Sequence, residues 1–371
     1  MTRAYYIDRL RILLTMLVVF HHSAIAFGAS GGWYYVTPNA TSGATQMILS
    51  LFMAIDQAFF MSLFFFISAL LMPASFDSKG FGKFMKDRVV RLGIPLVVYA
   101  LLIHPTLVFG IFKYLGKATG SWLNFVWTID TKYTETGPMW FVLTLLIFEM
   151  GYALYHHFSH LNVEAKPEGK LPSAVKIGLF IVGAGVLAFA VRLFYPTGKN
   201  FIGLQFGYFV LYIAMYVLGI IANRNNWIER FTLQQARPWF IASLVAIPVV
   251  IGAIALSKSP EAMNDFSGGM NPRALVYALW EPVICVGFCF FLLMFFKKRL
   301  NKPNKLVLAL SGDSYTAYII HPVIVVGFTF LSEQIVMPPL VRLAFVLVLA
   351  IPTCFLAAYV IRKIPGMKKV L

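Results

Sequence analysis

Residues 11–27 read RILLTMLVVFHHSAIAF. A run this apolar that still holds Arg11, His21 and His22 is read as a membrane-crossing helix that keeps polar side chains at a cost, and such residues are functional-site candidates. Arg11 and His22 are eleven residues apart, about three turns. They therefore project from nearly the same face, roughly 16 Å apart along the axis. His21 points about 100° away from His22, so at most one histidine is expected on the Arg11 face. The run ends without an A-x-A-like cleavage site and reads as a retained helix rather than a signal peptide.

The rest of the chain repeats the pattern. Of 371 residues, 59% are hydrophobic and 12% charged, with a mean hydropathy of +0.77. Repeated apolar segments of about 20 residues exclude a soluble domain and indicate a polytopic, all-α membrane protein. Helices are expected at 10–29, 47–73, 89–112, 138–158, 174–195, 203–222, 237–256, 274–297, 311–332 and 338–362, ten crossings that use up most of the length. Residues 1–371 are thus expected to form a single membrane domain with both termini on one side.

The charge chooses that side. A net charge of +16 could suggest nucleic acid, but the cations sit in short loops, where they set orientation and meet lipid head groups. With cytosolic termini, the inner segments hold Arg3, Arg9 and Arg11, then Lys79, Lys83, Lys86, Arg88 and Arg91. Lys166, Lys170, Lys176, Arg224, Arg230 and Arg237 follow, then Lys297 to Lys305 and the tail from Arg362. That is about 23 of the 31 basic residues, which supports both the span count and a cell-membrane orientation. The longest outer loop, 113–137, has Trp122, Trp127 and Tyr133 and suits an interfacial segment. The longest inner one, 159–173, with Pro167 and Gly169, reads as a connector. Cys285, Cys289 and Cys354 lie in apolar segments and read as core residues rather than a disulfide or metal site.

Several polar residues inside the spans could carry chemistry. A neutral imidazole in a water-poor cavity can take a proton from a hydroxyl, so His22 is a candidate general base; the bland reading is an interhelical hydrogen-bond donor. Arg88 and Arg91, three apart at the start of the third helix, can present two guanidinium forks to phosphate oxygens. Asp56, Glu149, Glu281, Asp313, Tyr315 and His321 could pair with cations or line a cavity, and pairing is the expectation for each carboxylate. Pro322 frees a backbone carbonyl in its helix, which polar neighbours must satisfy. Nucleophile-elbow, Walker A, H-E-x-x-H and paired C-x-x-C motifs are absent, no metal is called for, and GASGG at 28–32 reads as a loop.

Five segments, in order, resemble the integral-membrane family 3 acyltransferases. YIDRLRILLTMLVVFHHSAIAF is similar to the family's first helix through Asp8, Arg11 and His22. FFMSLFFFISALLM resembles its second helix through Ser68, with Ala69 where the family has glycine, a change that bears on how closely the first two helices approach. RVVRLGIP matches R-x-x-R through Arg88 and Arg91. GPMWFVLTLLIFE resembles the H-L-W-F-L segment through Trp140 and Phe141. SGDSYTAYIIHPVIV resembles S-Y-x-x-Y-x-x-H-P through Ser314, Tyr315, Tyr318, His321 and Pro322. The tone is nearest the branch that includes glucan succinyltransferases.

The resemblance implies transfer of an acyl group, acetyl or succinyl, from acyl-CoA to a hydroxyl of a carbohydrate or other envelope acceptor, with no permanently bound cofactor. It implies His22 as catalytic base, Arg11 as its partner, and Arg88 with Arg91 on the donor-binding surface. Asp8, Ser68, Trp140, Glu149, Tyr315 and His321 are secondary candidates. The main rival is a secondary transporter, for which ten spans with buried His, Asp and Glu would suit proton coupling. Transporters show matched breaks in two halves, whereas here the polar motifs crowd into the first hundred residues. A lipid- or lipoprotein-directed acyltransferase is the nearest enzymatic alternative, but its histidine would sit late in the chain.

Overall fold

The computed structural model describes residues 3–118, 120–128, 136–159, 169–257 and 264–371. Tyr133 of the outer loop, and Lys166 and Pro167 of the inner one, lie outside these. Among the described residues there is no β-strand beyond a single bridge between Phe201 and Leu204, and nine helical runs are long and apolar enough to cross a membrane. One run, Gly43–Tyr114, is 72 residues long. As a straight rod it would measure about 108 Å, more than three times a hydrocarbon core of about 30 Å. It is folded at Gly80, whose φ of 70° and ψ of 170° lie outside the helical region and suit only glycine. Across the fold, Arg88 donates to Ser75 Oγ at 3.3 Å, Phe76 packs edge-on to Phe84, and Lys79 pairs with Asp87 at 2.7 Å. Counting its two arms separately gives ten crossings, as expected.

In chain order these are α1 (Tyr5–Ala26), α2 (Gly43–Arg88), α3 (89–114), α4 (Trp140–Ser159), α5 (Ala174–Arg192), α6 (Phe209–Arg224), α7 (Leu233–Ala255), α8 (Pro272–Arg299), α9 (Lys305–Glu333) and α10 (Pro339–Lys363). Several begin earlier than expected. Helix α1 takes in Asp8, whose charge favours a helix N-terminus, and α2 runs through Pro73 into the basic segment expected as a loop. Trp122 and Trp127 lie on a short helix, Trp122–Thr128, with Trp127 exposed.

Helix α1 is the hub. It packs chiefly on α9 and also on α2, α8 and α10. Leu10, Leu14 and Val18 face the larger core with Phe65, Leu63 and Tyr318, while Val19, Ala24 and Phe27 pack with Val325, Val346 and Ala350. Helices α5 and α7 sit at the rim and expose Val175, Leu179, Val182, Ile241, Val245 and Val249, a face suited to lipid. Lipid is as apolar as these side chains, so association depends on close packing. Gly219 of α6 lies against α2, where an added Cβ would come within 2.5 Å of Phe66 O and 2.7 Å of Ala69 Cβ. Ala69 therefore governs the approach of α2 to α6, not that of α1 to α2; the missing glycine is supplied by the facing helix.

Both chain ends lie at one end of the bundle. The Tyr6 N–H donates to Asn301 Oδ1, Ser311 donates to Asp8 at 2.7 Å, Arg362 pairs with Asp313 at 2.6 Å, and the terminal helix Met367–Val370 packs against 89–93. Arg3, Arg9, Arg91 and Lys302 gather at this basic end. The carboxylates expected to be paired are paired: Asp56 with His21, Glu149 with Arg88, Glu281 with Arg192, and Asp313 with Arg362. The three cysteines are buried and free.

Candidate active site

A cavity of about 730 Å³ enters the bundle from the end opposite the basic one. Its walls come from the second half of α1 (Val18 to Ile25), the start of α2 (Ser50 to Met61), the end of α3 (His104 to Phe112) and the loops around Ser30–Tyr34 and Thr197–Gln205. His21 and His22 both line it. The cavity is wide enough to span the 100° between successive residues of α1.

His22 is held by three contacts. Its Nδ1 is 3.1 Å from Val18 O and 3.0 Å from His321 Nε2, and its ring stacks on Trp33 with centroids 4.1 Å apart. These contacts fix where the protons sit. Pro322 has no N–H, so the carbonyl of Tyr318, four residues earlier, loses its helical donor. His321 Nδ1 lies 2.5 Å from that oxygen and must donate, because a carbonyl can only accept. A neutral His321 then keeps a lone pair on Nε2. His22 Nδ1–H donates to that lone pair and to Val18 O, which leaves the lone pair of His22 on Nε2, the nitrogen a general base would use.

His21 is held differently. Its Nδ1 lies 2.8 Å from Asp56 Oδ2, Asp56 is 1% exposed, and the ring stacks on Phe60. The remaining walls are aromatic and amide-bearing. Trp140 stacks on Tyr212 at 5.5 Å, Gln57 donates to the Tyr212 hydroxyl at 2.8 Å, and Tyr208, Tyr277, Asn200 and Gln205 complete the mouth. Arg192, wholly buried, supports this wall. It pairs with Glu281, donates to Gly207 O at 2.9 Å, and its guanidinium lies over Tyr208 and Tyr277 at 5.4 and 5.3 Å. Tyr34 joins Tyr99 and His104 at 2.9 and 2.8 Å beside the opening.

The other candidates fall into two groups. Trp140 lines the cavity, and His321, fully buried, stands behind His22. Asp8 does not reach it: it accepts from Arg3 and Ser311 and fastens α1 to α9. This contact raises the pKa of Arg3 through its hydrogen bond to Asp8. Ser68 is half-buried on α2, away from the cavity walls. Arg88 is turned inward, 3.1 Å from Glu149 with its guanidinium over Phe84, while Arg91 is exposed. The expected two-arginine fork is therefore not formed: 89–93 winds as a wider π-helix, which separates the two side chains, and Arg88 is committed to the buried carboxylate. Glu149 is thus the partner of Arg88 rather than a residue of the cavity. Arg11 is half-buried, near enough to Asp8 and Arg91 to interact with both. Tyr315 donates to Arg91 O at 3.0 Å, and Tyr315, Tyr318 and His321 recur every three residues on α9, linking Arg91 to the cavity floor.

Sequence reasoning missed Trp33, Tyr34, Gln57, Tyr208, Tyr212 and Tyr277. The triplet Trp33-Tyr34-Tyr35 behind the glycines of 28–32 was the one visible signal, because three aromatic residues in a polar loop need a surface to cover.

The Acyl_transf_3 family, described as an acyltransferase domain, matches residues 4–359. The chain is also similar to "Glucans biosynthesis protein C" of Salmonella schwarzengrund (strain CVM19633), Salmonella typhi and Salmonella typhimurium, 27% identical over 234 residues in each case. Those matches cover 59% of this chain and 58% of each relative, so the chain spans little more than half the length of these relatives. No solved structure matches it. A single family match over nearly every residue, on an all-α membrane bundle with a histidine-floored cavity, means that this chain belongs to the family 3 acyltransferases.

Proposed function

We propose that the protein is an acyl-CoA-dependent O-acyltransferase of the cell membrane that places an acetyl or succinyl group on a hydroxyl of a glycan. The observation that carries this reading is the pairing of His22, which lines the cavity, with the buried His321 behind it, which leaves His22 Nε2 as a lone-pair nitrogen. The acceptor hydroxyl gives its proton to that nitrogen as its oxygen attacks the thioester carbonyl carbon. The tetrahedral adduct then collapses, the carbon–sulfur bond breaks, and the thiolate of CoA takes the proton back. An imidazole fixed by two hydrogen bonds and a stacked indole is already oriented for both transfers.

The two substrates are best supplied from opposite ends. The anionic nucleotide end of CoA suits Arg91 and Arg11 at the basic end, with the pantetheine arm running along the Tyr315–Tyr318–His321 face of α9. Basic residues mark the cytosolic side of a membrane protein, where CoA is found. The glycan suits the opposite mouth: flat aromatic faces at Trp140, Tyr208 and Tyr212 fit the apolar faces of sugar rings, and Gln57, Asn200 and Gln205 offer amides to hydroxyls. The name shared by the Salmonella relatives agrees with a glucan acceptor.

The test is mass spectrometry of envelope glycans from cells with and without the gene. The wild-type gene is expected to add an acyl mass that His22→Ala abolishes while the variant still accumulates in membranes. Unchanged product from His22→Ala would end the assignment of the base.

A further inference from the structure

Transfer from a thioester needs a donor for the oxyanion as well as a base for the hydroxyl, and removal of one such donor costs about 100- to 1000-fold in kcat. His321 is spent on orienting His22. Its neighbour His21 is differently equipped. Nδ1 is turned to Asp56 Oδ2 at 2.8 Å, which leaves the opposite ring edge, with Nε2, for the cavity that the imidazole lines. Among the described residues no other cation pairs with Asp56, and a buried carboxylate with no counter-charge is costly. In a pair of zero net charge one proton lies between Nδ1 and Oδ2, whichever group holds it, and the other sits on Nε2, so His21 presents an N–H to the cavity. Phe60, stacked under the ring at 5.1 Å, fixes the plane of the imidazole.

The geometry points to His21 as the oxyanion donor and Asp56 as the residue that positions it and keeps a proton on its Nε2, so that successive residues of α1 supply the base and the hydrogen-bond donor. The inference rests on the acyl-transfer reading above. As the hydroxyl oxygen bonds to the thioester carbon and its proton passes to His22, the carbonyl π electrons move onto oxygen, and His21 Nε2–H donates to that oxygen. When the carbon–sulfur bond breaks, the electrons return and His21 keeps its proton throughout. The two ring centroids, 5.4 Å apart, leave room for one tetrahedral carbon between the two functions.

The experiment uses the full chain in lipid nanodiscs with acetyl-CoA or succinyl-CoA as donor and a glucan oligosaccharide as acceptor, following release of CoA thiol. His21→Ala and Asp56→Asn are each expected to lower kcat about 100-fold or more while moving donor and acceptor KM less than threefold. Their combination is expected to lose no more than the worse single variant, as residues acting as one unit do. Asp56→Glu, which restores a carboxyl group, is expected to recover at least tenfold over Asp56→Asn. Because Asp56 is deeply buried, His21→Gln provides a second variant that keeps an amide donor beside the carboxyl; it is expected to melt lower than the wild type, so kcat is taken per folded protein, and on that basis it still loses kcat. An active wild type with His21→Gln and Asp56→Asn both within threefold of its kcat overturns the inference alone, as does a loss expressed in KM. A wild type that releases no more thiol than His22→Ala overturns the acyl-transfer reading and this inference with it.

Discussion

Replacing His321 by alanine separates a residue that orients the base from one that is the base. His22 Nδ1–H has two acceptors, Val18 O at 3.1 Å and His321 Nε2 at 3.0 Å, so its tautomer survives the loss of either. What is lost is stabilisation of the imidazolium that forms as the hydroxyl proton arrives. A hydrogen bond from a charged donor is worth about 1.5–3 kcal/mol and from a neutral one about 0.5–1.5, so the differential effect is about 1–1.5 kcal/mol. That corresponds to a fall in kcat of about 5- to 12-fold, with both KM values little changed. His321→Gln can return a carbonyl acceptor to the same place and is expected to recover to within about threefold of wild type. The assay is thiol release at saturating acyl-CoA and acceptor, with thermal melts as a control because Tyr318 O loses its donor in either variant. An unchanged kcat in His321→Ala would show that the dyad contributes nothing. A loss as complete as that of His22→Ala would make His321 itself the proton acceptor.

Three other perturbations have distinct signatures. Arg91→Gln is expected to weaken acyl-CoA binding about 10- to 100-fold in a binding titration, the value of a charge-assisted phosphate contact, while Arg88→Gln lowers the melting temperature by stranding Glu149 and leaves donor affinity alone; equal donor affinity in Arg91→Gln would remove the phosphate role. Arg192→Leu leaves Glu281 buried without a partner and is expected to cost about 3–5 kcal/mol, seen as loss of folded protein after solubilisation; a melt within a degree of wild type would refute the structural role of the pair. Trp140→Ala removes a stacking face worth about 0.5–1.5 kcal/mol and should raise acceptor KM about 2- to 12-fold with donor KM unchanged, and the reverse pattern would place the donor in the mouth.

The helices were legible because apolar runs of about 20 residues have one physical solution in a bilayer, and even the 72-residue run was divided correctly by the basic segment that surrounds Gly80. The site was legible along single helices and obscure between them. The rule that Pro322 frees a carbonyl pointed to a compensating donor, and His321 proved to be that donor, one residue away. Nothing in local spacing could show that His321 lies 3.0 Å from a residue 299 positions earlier, or that Asp56 faces His21. The Arg88–Arg91 fork failed for a related reason: α-helical spacing was assumed where the backbone winds more widely, and a carboxylate from α4 competes for one guanidinium. The aromatic wall joins Tyr208 and Tyr212, four residues apart at the head of α6, to Tyr277 of α8, and residues that read singly as core or interface meet only through that packing.

Helix α1 keeps its guanidinium towards one end and its imidazoles towards the mouth at the other, so a group handed between them passes through part of the membrane's electric field. An acetyl group is neutral and feels nothing. A succinyl group carries a negative charge at neutral pH, and one elementary charge crossing the whole field corresponds to about 2.3 kcal/mol per 100 mV. With the arginine end on the negative side, that anion is driven outward. A protein of this build that transfers succinate would therefore run faster in energised vesicles than in depolarised ones, whereas one that transfers acetate would be indifferent to voltage.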